Sequence, residues 1–230
     1  MDPLVCVERE VVACKRCPQL IDYCTLVART KKKAFRDWDY WGKPVPPFGD
    51  QRARLLVLGL APAAHGANRT GRMFTGDRSG DFLFRALHAT GFASQPESRS
   101  RGDGLELRDA YISAVLRCAP PGNRPAPDQI LNCREYLERE LDMLTNLEVV
   151  VALGRIAFDQ YLTILRNRGI IRSKSGFVFA HGREHTTAPG QPLLIGSYHP
   201  SQQNTSTKRL TDAMLTDVFL RARRALSRLP

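Results

Sequence analysis

Short apolar segments that alternate with longer amphipathic ones constrain the fold of this chain more than any other feature. Largely apolar runs occupy residues 54–60, 109–116, 148–153 and 193–197, and each has the length of a buried β-strand. Helical periodicity marks residues 81–90, 128–144, 155–168 and 210–229. Alternating strands and helices predict an α/β fold with a mostly parallel central sheet of about four strands.

The remaining segments fit around this core. Residues 4–30 predict a helix, a break at Pro18 and a second helix. Residues 31–50, which contain both tryptophans, predict an irregular loop lying against the body, and residues 175–180 predict a further short strand. A chain of 230 residues is long enough to bury a real core, and we expect a single domain.

The charge balance indicates a polyanionic partner. The chain has 34 Lys and Arg against 23 Asp and Glu, a net charge of +11 that favours nucleic acid. The alternative is a basic, Arg-rich proteome, which would give the same sum without any nucleic-acid contact. Apolar runs fall far short of the roughly 20 residues that a spanning helix needs. The amino terminus also lacks the pattern of a signal peptide, so we expect a cytoplasmic protein without membrane contact.

The spacing of the cysteines predicts a metal site. Four of the six cysteines could supply ligands: Cys14, Cys17, Cys118 and Cys133. The first two form a CxxC pair, whereas the other two stand apart with fourteen residues between them. Four-cysteine zinc sites usually take two close pairs, and iron–sulfur clusters tolerate one pair with two distant singles. This spacing favours iron–sulfur over zinc, while Cys6 and Cys24 suit the role of small buried hydrophobes.

The loops that follow the strands carry the candidate chemistry. Ligands of such folds sit outside the carboxyl ends of the strands, so the loops after Leu60, Leu116 and Ser197 should converge on one site. In the loop of residues 59–77, two arginines could meet phosphates and Phe74 offers a stacking face. Asp77 supplies a carboxylate at the start of the next helix, although an Asp there could also be only a helix cap.

Histidine and asparagine add to these loops. His199 follows the last strand and is placed to donate a hydrogen bond into the shared cleft. Asn123 lies in a turn, where it could reach water or base or be only a turn former. His65 and Asn68 line the pocket or merely hold the loop. The other three histidines are interpreted as ordinary surface or helix residues: His88, His181 and His185.

Taken together, these motifs resemble the uracil-DNA glycosylase superfamily, and within it the iron–sulfur branch called family 5, or UDGb. The resemblance rests on the loop of residues 59–77, on residues 117–125 and 132–134, on the CxxC pair and on His199-Pro200-Ser201. It spans nearly the whole chain in the right order. It implies a three-layer α/β/α sandwich, a 4Fe-4S cluster of structural role, and removal of deaminated bases from DNA.

Two departures from the family pattern affect the expected chemistry. Other branches place an Asp or Glu at the start of the first motif to position the attacking water, and here Leu60 and Ala61 stand in those positions. Asp77 is the nearest replacement, as in the UDGb pattern. The sister family 4 has an Asn that reads the uracil edge where this chain has Ala114. Losing that amide should relax base selectivity.

The resemblance therefore implies a DNA repair glycosylase that acts as a monomer on DNA containing uracil or other deaminated bases such as hypoxanthine. The expected catalytic residues are Asp77, His199 and Asn123. The expected substrate-binding residues are Phe74, Ala63, His65, Asn68, Arg72, Gly59, Ala114, Ser201 and Asn204. The expected ligands of the 4Fe-4S cluster are the four cysteines named above.

Two alternatives belong to other functional classes. A non-catalytic iron–sulfur or zinc module that binds nucleic acid shares the charge and the cysteines. It gives no reason for Asp77, Phe74 and His199 to lie on converging loops. A hydrolase of small nucleosides does not explain the charge of +11.

Overall fold

A computed structural model describes residues 3–227, in which six strands form one sheet in the order β1-β3-β2-β4-β6-β5. The strands are β1 (Phe48–Gly49), β2 (Leu55–Gly59), β3 (Ala110–Ala114), β4 (Val149–Leu153), β5 (Glu184–Thr186) and β6 (Leu193–Ser197). The four central strands are parallel, and β1 and β5 are antiparallel edges. The predicted parallel sheet is confirmed, with two more strands than expected.

Eight α-helices surround the sheet within the described range. They are α1 (Pro3–Val12), α2 (Pro18–Thr30), α3 (Ala67–Thr70), α4 (Arg78–Ala89), α5 (Pro127–Met143), α6 (Arg155–Asn167), α7 (Gln202–Ser206) and α8 (Asp212–Leu226). Single turns of 3₁₀-helix occur at Lys33–Phe35 and Pro121–Asn123. The break at Pro18 is confirmed, because this proline occupies the first turn of α2, where no backbone N–H is needed.

Alternation along the strands divides the core into two layers. Leu55 and Val57 of β2 point to the face covered by α4 and α8, whereas Leu56 and Leu58 point to the face covered by α2, α5 and α6. Every residue of β2, β3 and β4 is buried, as expected for parallel strands covered on both sides. The three-layer α/β/α sandwich is therefore confirmed.

The edges of the sheet are where the sequence prediction was wrong. Residues 175–180 form no strand, and the edge strand lies instead at Glu184–Thr186. Both edge strands have only two or three residues, too short to show an alternating pattern. The closing helix starts at Asp212, and the last residues of its predicted range lie outside the described residues.

None of the helices within residues 3–227 combines the length and the apolar character that a membrane-spanning helix requires.

Candidate active site and cysteine cavity

A cleft of about 1750 Å³, its open mouth included, lies at the carboxyl edge of the parallel strands. Three of its walls are the loops that follow β2, β3 and β6, which confirms that these loops converge. Seven of the expected site residues line it: Asp77, His199, Asn123, Phe74, Ala63, His65 and Ser201. A fourth wall comes from Tyr23, Lys32 and Phe35, which the sequence did not indicate.

Asp77 closes the loop after β2 and caps helix α4. Its Oδ1 accepts a hydrogen bond from the backbone N–H of Gly80 at 2.9 Å. Burial raises the pKa of Asp77 above its ordinary value, although backbone N–H groups of Gly80 and Ser79 and the charge of Arg69 act against this shift. The helix-cap interpretation is thus compatible with a reactive carboxylate, because one oxygen caps the helix and the other is left over.

The second oxygen of Asp77 packs against Gly66, where the absence of a side chain leaves room for it. A Cβ on Gly66 would lie 2.0 Å from Asp77 Oδ2, so any side chain at position 66 would collide with the carboxylate. Sequence reasoning missed Gly66, because nothing local to this glycine indicates a contact with Asp77.

Phe74 presents its ring at the cleft on a strained backbone. Its φ of 51° lies in the left-handed region, which bulky residues rarely adopt and which concentrates at functional sites. A Cβ on Gly59 would stand 2.7 Å from Phe74 Cζ, so the glycine at the end of β2 leaves room for the ring. Gly59 therefore acts on the cleft through Phe74 and does not line it.

His199 lies beside Phe74, with ring centroids 5.9 Å apart and planes tilted by 32°. Burial lowers the pKa of His199 to about 4, so its imidazole is neutral at neutral pH. Among residues 3–227, no hydrogen bond to another residue engages this ring. Asn204, expected to bind substrate, instead donates from Nδ2 to the His199 carbonyl at 2.9 Å and fixes the backbone there.

His181, interpreted from sequence as an ordinary residue, contacts Tyr198, the residue that precedes His199. Its Nδ1 accepts a hydrogen bond from the backbone N–H of Tyr198 at 3.2 Å, and its ring stacks on the Tyr198 ring at 5.1 Å. Burial lowers the pKa of His181, which favours the neutral form that can accept this bond. No sequence pattern indicates this contact, because His181 reaches Tyr198 only through the pairing of distant segments.

The two loop arginines expected to meet phosphates are both buried. Arg72 forms an ion pair with Asp103 at 2.6 Å and donates to Ser98, with only 4% of its side chain exposed. Arg69 donates to the carbonyls of His65 and Gly76. The expectation that Arg72 binds substrate is therefore wrong, because its guanidinium is used inside the protein.

Residues 31–41, called the strap here, are fastened to the cleft by Arg69. The guanidinium lies 3.9 Å from the centre of the Phe35 ring and 4.0 Å from that of Trp38, so it stacks against both rings. A second fastening joins Tyr40 Oη and His65 Nδ1 at 3.0 Å. Burial, followed by the charges of Lys32 and Arg69, lowers the pKa of His65.

Two further expected residues lie away from the cleft surface. Asn68 is fully buried and donates from Nδ2 to the carbonyls of Cys24 and Ala64, so it ties helix α2 to the loop. Ala114 is buried in the core beside Gly59, its partner in the sheet. Neither lines the cleft, whereas Asn123 stands exposed at its rim in a turn with φ of 57°.

A second cavity, of about 320 Å³ with its open side included, brings the four spaced cysteines together. Cys14 and Cys17 lie between α1 and α2, Cys118 follows β3, and Cys133 is on α5. Asn132 Nδ2 donates to Cys17 Sγ at 3.6 Å. Within residues 3–227, no three His, Cys, Asp or Glu side chains are arranged to hold a single metal ion.

Beside this cavity lies a fully buried ion pair. Arg117 Nη2 stands 2.7 Å from Glu140 Oε1, with each side chain 1% exposed. Ser113 joins them, since its hydroxyl donates to Glu140 at 2.6 Å and accepts from Arg117 at 2.8 Å. The pair therefore links the end of β3 to the helix that carries Cys133.

Comparison with known proteins identifies the family. The model of the Uracil DNA glycosylase superfamily matches residues 46–223, which is most of the chain. The chain belongs to this superfamily.

Several uracil-DNA glycosylases are similar to this chain over most of its length. A type-5 uracil-DNA glycosylase of Thermus thermophilus is 47% identical over 214 residues, covering 93% of this chain and 94% of the relative. One of Mycobacterium leprae is 46% identical over 216 residues, covering 94% and 92%. A type-4 uracil-DNA glycosylase of Archaeoglobus fulgidus is 29% identical over 178 residues, covering 74% and 72%.

The similarity to the type-5 glycosylases reaches beyond the part that the superfamily model matches. That model begins at residue 46, after α1, α2 and the strap. An alignment over 214 of the 230 residues must extend through the strap and α2. The wall that the strap contributes to the cleft is therefore part of the region shared with the type-5 glycosylases.

Proposed function

We propose that this protein removes uracil from DNA by hydrolysing the bond between the base and its sugar. The observation that carries the proposal is the meeting of Asp77, Phe74 and a neutral His199 in one cleft at the carboxyl edge of the sheet. The names of the type-5 relatives support the same activity. The net charge of +11 suits a DNA partner, and the cleft is complete within one chain, which suits a monomer.

Extrusion of the base comes first, because stacking inside the duplex hides the bond to be cut. Phe74 then stacks on the extruded base, with its ring held at the cleft by the space that Gly59 leaves. His199 donates a hydrogen bond to a base oxygen on which negative charge develops as the bond breaks. Such preorganised donors are often the largest single contribution to catalysis.

Asp77 orients the water that attacks the sugar. Its raised pKa makes it a better proton acceptor than an exposed carboxylate, and its unused oxygen is the one that faces Gly66. Asn123, exposed at the rim of the cleft, helps to hold the same water.

We also propose a base selectivity broader than uracil. The lining of the cleft includes no side-chain amide from position 114, because Ala114 stands in the core. A site that hydrogen bonds the edge of one base rejects others by leaving its own groups unpaired, and position 114 offers no such group here. Hypoxanthine should therefore be released as well as uracil, within a few orders of magnitude in rate.

We propose further that the four cysteines hold a 4Fe-4S cluster. Four thiols line one cavity, and hydrogen bonds to sulfur such as that from Asn132 are typical of such sites. The cluster when bound would serve as a cross-link between the amino-terminal helices, the loop after β3 and α5. Anaerobically purified protein should contain iron and absorb at about 400 nm, whereas zinc without iron would overturn this assignment.

The glycosylase activity is tested with a single-stranded oligonucleotide that carries one uracil, followed by alkaline cleavage of the abasic product. A matched oligonucleotide with thymine is the control. We expect cleavage only of the uracil strand, and a parallel strand with hypoxanthine tests the broader selectivity. Binding of both oligonucleotides without any cleavage would instead support the non-catalytic module.

A further inference from the structure

The burial of Arg69 and Arg72 leaves open which cations meet the DNA at the cleft. Arg72 is paired with Asp103, and Arg69 is stacked on the rings of Phe35 and Trp38. Neither guanidinium can reach a phosphate without leaving these contacts. The phosphates must therefore be met by other side chains.

Two basic side chains remain at the cleft. Of the lysines and arginines within residues 3–227, Lys32 and Arg78 line it. Both are exposed, and neither forms an ion pair with another described residue. The charge of Lys32 acts on His65, so its ammonium lies close to the cleft wall.

The position of Arg78 is not explained by the stability of its helix. It is the first residue of α4, and a cation at a helix N-terminus is disfavoured by the helix dipole. It directly follows Asp77, so an anion beside the reacting sugar would be within its reach. The charge of Arg78 acts on Asp81 without forming an ion pair, so the guanidinium remains available to a ligand outside the protein.

The position of Lys32 is fixed by the strap. Arg69 stacks on Phe35 and Trp38, and Tyr40 bonds to His65. The backbone N–H of Lys32 also donates to Tyr40 Oη at 3.4 Å. Buried Arg69 thus serves DNA binding indirectly, by holding the segment that carries the exposed cation.

We propose that Lys32 and Arg78 bind the DNA phosphates on the two sides of the extruded nucleotide. This inference rests on the proposed function, because it takes the cleft as the place that receives that nucleotide. The phosphates of a nucleotide flank its sugar, and Asp77 marks where the sugar must stand. Phosphate contacts of this kind set the register of the DNA and carry no base selectivity.

The first test measures the salt dependence of binding to a duplex that carries a tetrahydrofuran abasic analogue, a probe with no base to release. The plot of log K against log salt has a negative slope, and loss of each phosphate contact makes it shallower by about 0.9. We expect that reduction in Lys32→Ala and in Arg78→Ala, and about twice as much in the double variant. Unchanged slopes in both single variants would overturn the proposal.

A matched control removes two cations from the amino-terminal end of the parallel strands, opposite the cleft. Arg52 precedes β2, and Arg172 follows α6, which runs back from the carboxyl end of β4. Both are exposed. The Arg52→Ala/Arg172→Ala variant should keep the slope of the unchanged protein, and an equal reduction there would attribute the effect to net charge and overturn the proposal.

The second test assigns each contact. Neutral methylphosphonate linkages replace, one at a time, the phosphates on each side of the abasic analogue. Replacing the phosphate that Lys32 contacts should weaken binding by the unchanged protein several-fold and binding by Lys32→Ala hardly at all. Replacing the phosphate on the other side should distinguish the unchanged protein from Arg78→Ala in the same way. Equal losses in protein and variant at every linkage would refute the assignment.

These measurements are independent of base release. If the protein releases no uracil and the slopes still fall, the proposed function fails and the phosphate contacts stand. If it releases uracil and the slopes do not change, the phosphate contacts fail alone.

Discussion

At the cysteine cavity, the buried charges near β3 and α5 are paired, whereas in the cleft the buried polar groups keep free capacity. Arg117, Glu140 and Ser113 hydrogen bond to one another within 2.8 Å, and of this group Arg117 Nε alone has no partner among the described residues. In the cleft, Asp77 has one oxygen beyond its helix cap, and the ring of His199 makes no hydrogen bond to another described residue. Paired groups hold elements together, and unpaired groups remain available to a substrate. Substitutions beside the cysteine cavity should therefore change mainly the stability, and substitutions in the cleft should change mainly the rate of catalysis.

The largest effect is expected at Glu140. Glu140→Ala leaves Arg117 as an uncompensated buried charge, and loss of one partner of a buried pair costs about 3–5 kcal/mol. The free energy of unfolding from urea denaturation should fall by that amount. Asp142 lies on the same helix as Glu140 and forms a more exposed ion pair with Arg168, which follows α6. Asp142→Ala should cost less than about 1 kcal/mol.

The double variant Arg117→Met/Glu140→Leu gives the sharper version of this test. Replacing both partners of a buried pair by apolar residues is often neutral or stabilising. Recovery of most of the lost stability would attribute the effect of Glu140→Ala to the unpaired charge. A double variant as unstable as the single one would attribute it to lost packing instead.

His199→Ala should show the reverse pattern. Removal of a preorganised hydrogen-bond donor costs roughly 10²–10³-fold in rate. Single-turnover release of uracil should fall by that factor, and the unfolding midpoint should change little. His88→Ala, on the exposed side of α4, should leave both unchanged, and a normal rate in His199→Ala would remove this histidine from the chemistry.

Asp77→Asn should lower the single-turnover rate by roughly 100-fold, the usual size of an acid–base contribution. Asparagine retains an oxygen that can cap α4, so the loss would be attributable to the charge. Asp77→Ala removes the cap as well and should be inactive, and it should be less stable than Asp77→Asn by about 1 kcal/mol. Near-full activity of Asp77→Asn would shift the orientation of water to Asn123.

The raised pKa of Asp77 also predicts two dependences on pH. The reaction needs the carboxylate, so the acid limb of the rate profile should lie above the ordinary Asp value of 3.8 and should vanish in Asp77→Asn. Because the folded-state pKa exceeds the unfolded one, the contribution of Asp77 to stability is present at low pH and is lost as the pH rises through the folded pKa. At neutral pH, Asp77→Asn should therefore be more stable than the unchanged protein, and a less stable variant would contradict this account.

The smallest effect is expected at His181, which supports the cleft from outside. His181→Leu leaves the Tyr198 N–H without its acceptor, which costs about 1–3 kcal/mol of stability. His181→Gln, which can accept the same bond, should recover part of it. If His181 positions His199, the rate of base release should fall in the Leu variant and recover in the Gln variant. A rate that does not change would limit His181 to a structural role.

The sequence predicted the parallel strands, the covering helices and the convergence of three loops. Each of these depends on local patterns, since apolar runs of five to eight residues and helical periodicity are properties of contiguous segments. The cysteine spacing, the loop of residues 59–77 and the His199-Pro200-Ser201 motif likewise stand in the sequence itself. The loop and the motif suffice to name the candidate residues Asp77, Phe74 and His199. The short edge strands were missed or misplaced because two or three residues carry no period.

Only the tertiary structure decided what each candidate does. As arginines of a loop, Arg69 and Arg72 are expected to be exposed, but the fold buries both. Trp38 stacks on Arg69 and Asp103 pairs with Arg72, and each partner lies 31 residues away along the chain. Gly66 matters because of Asp77, and His181 because of Tyr198. Local pattern determines which elements form, since the backbone responds to neighbours along the chain. Burial and pairing determine which polar groups remain available to DNA, and they are set by residues that only the completed fold brings together.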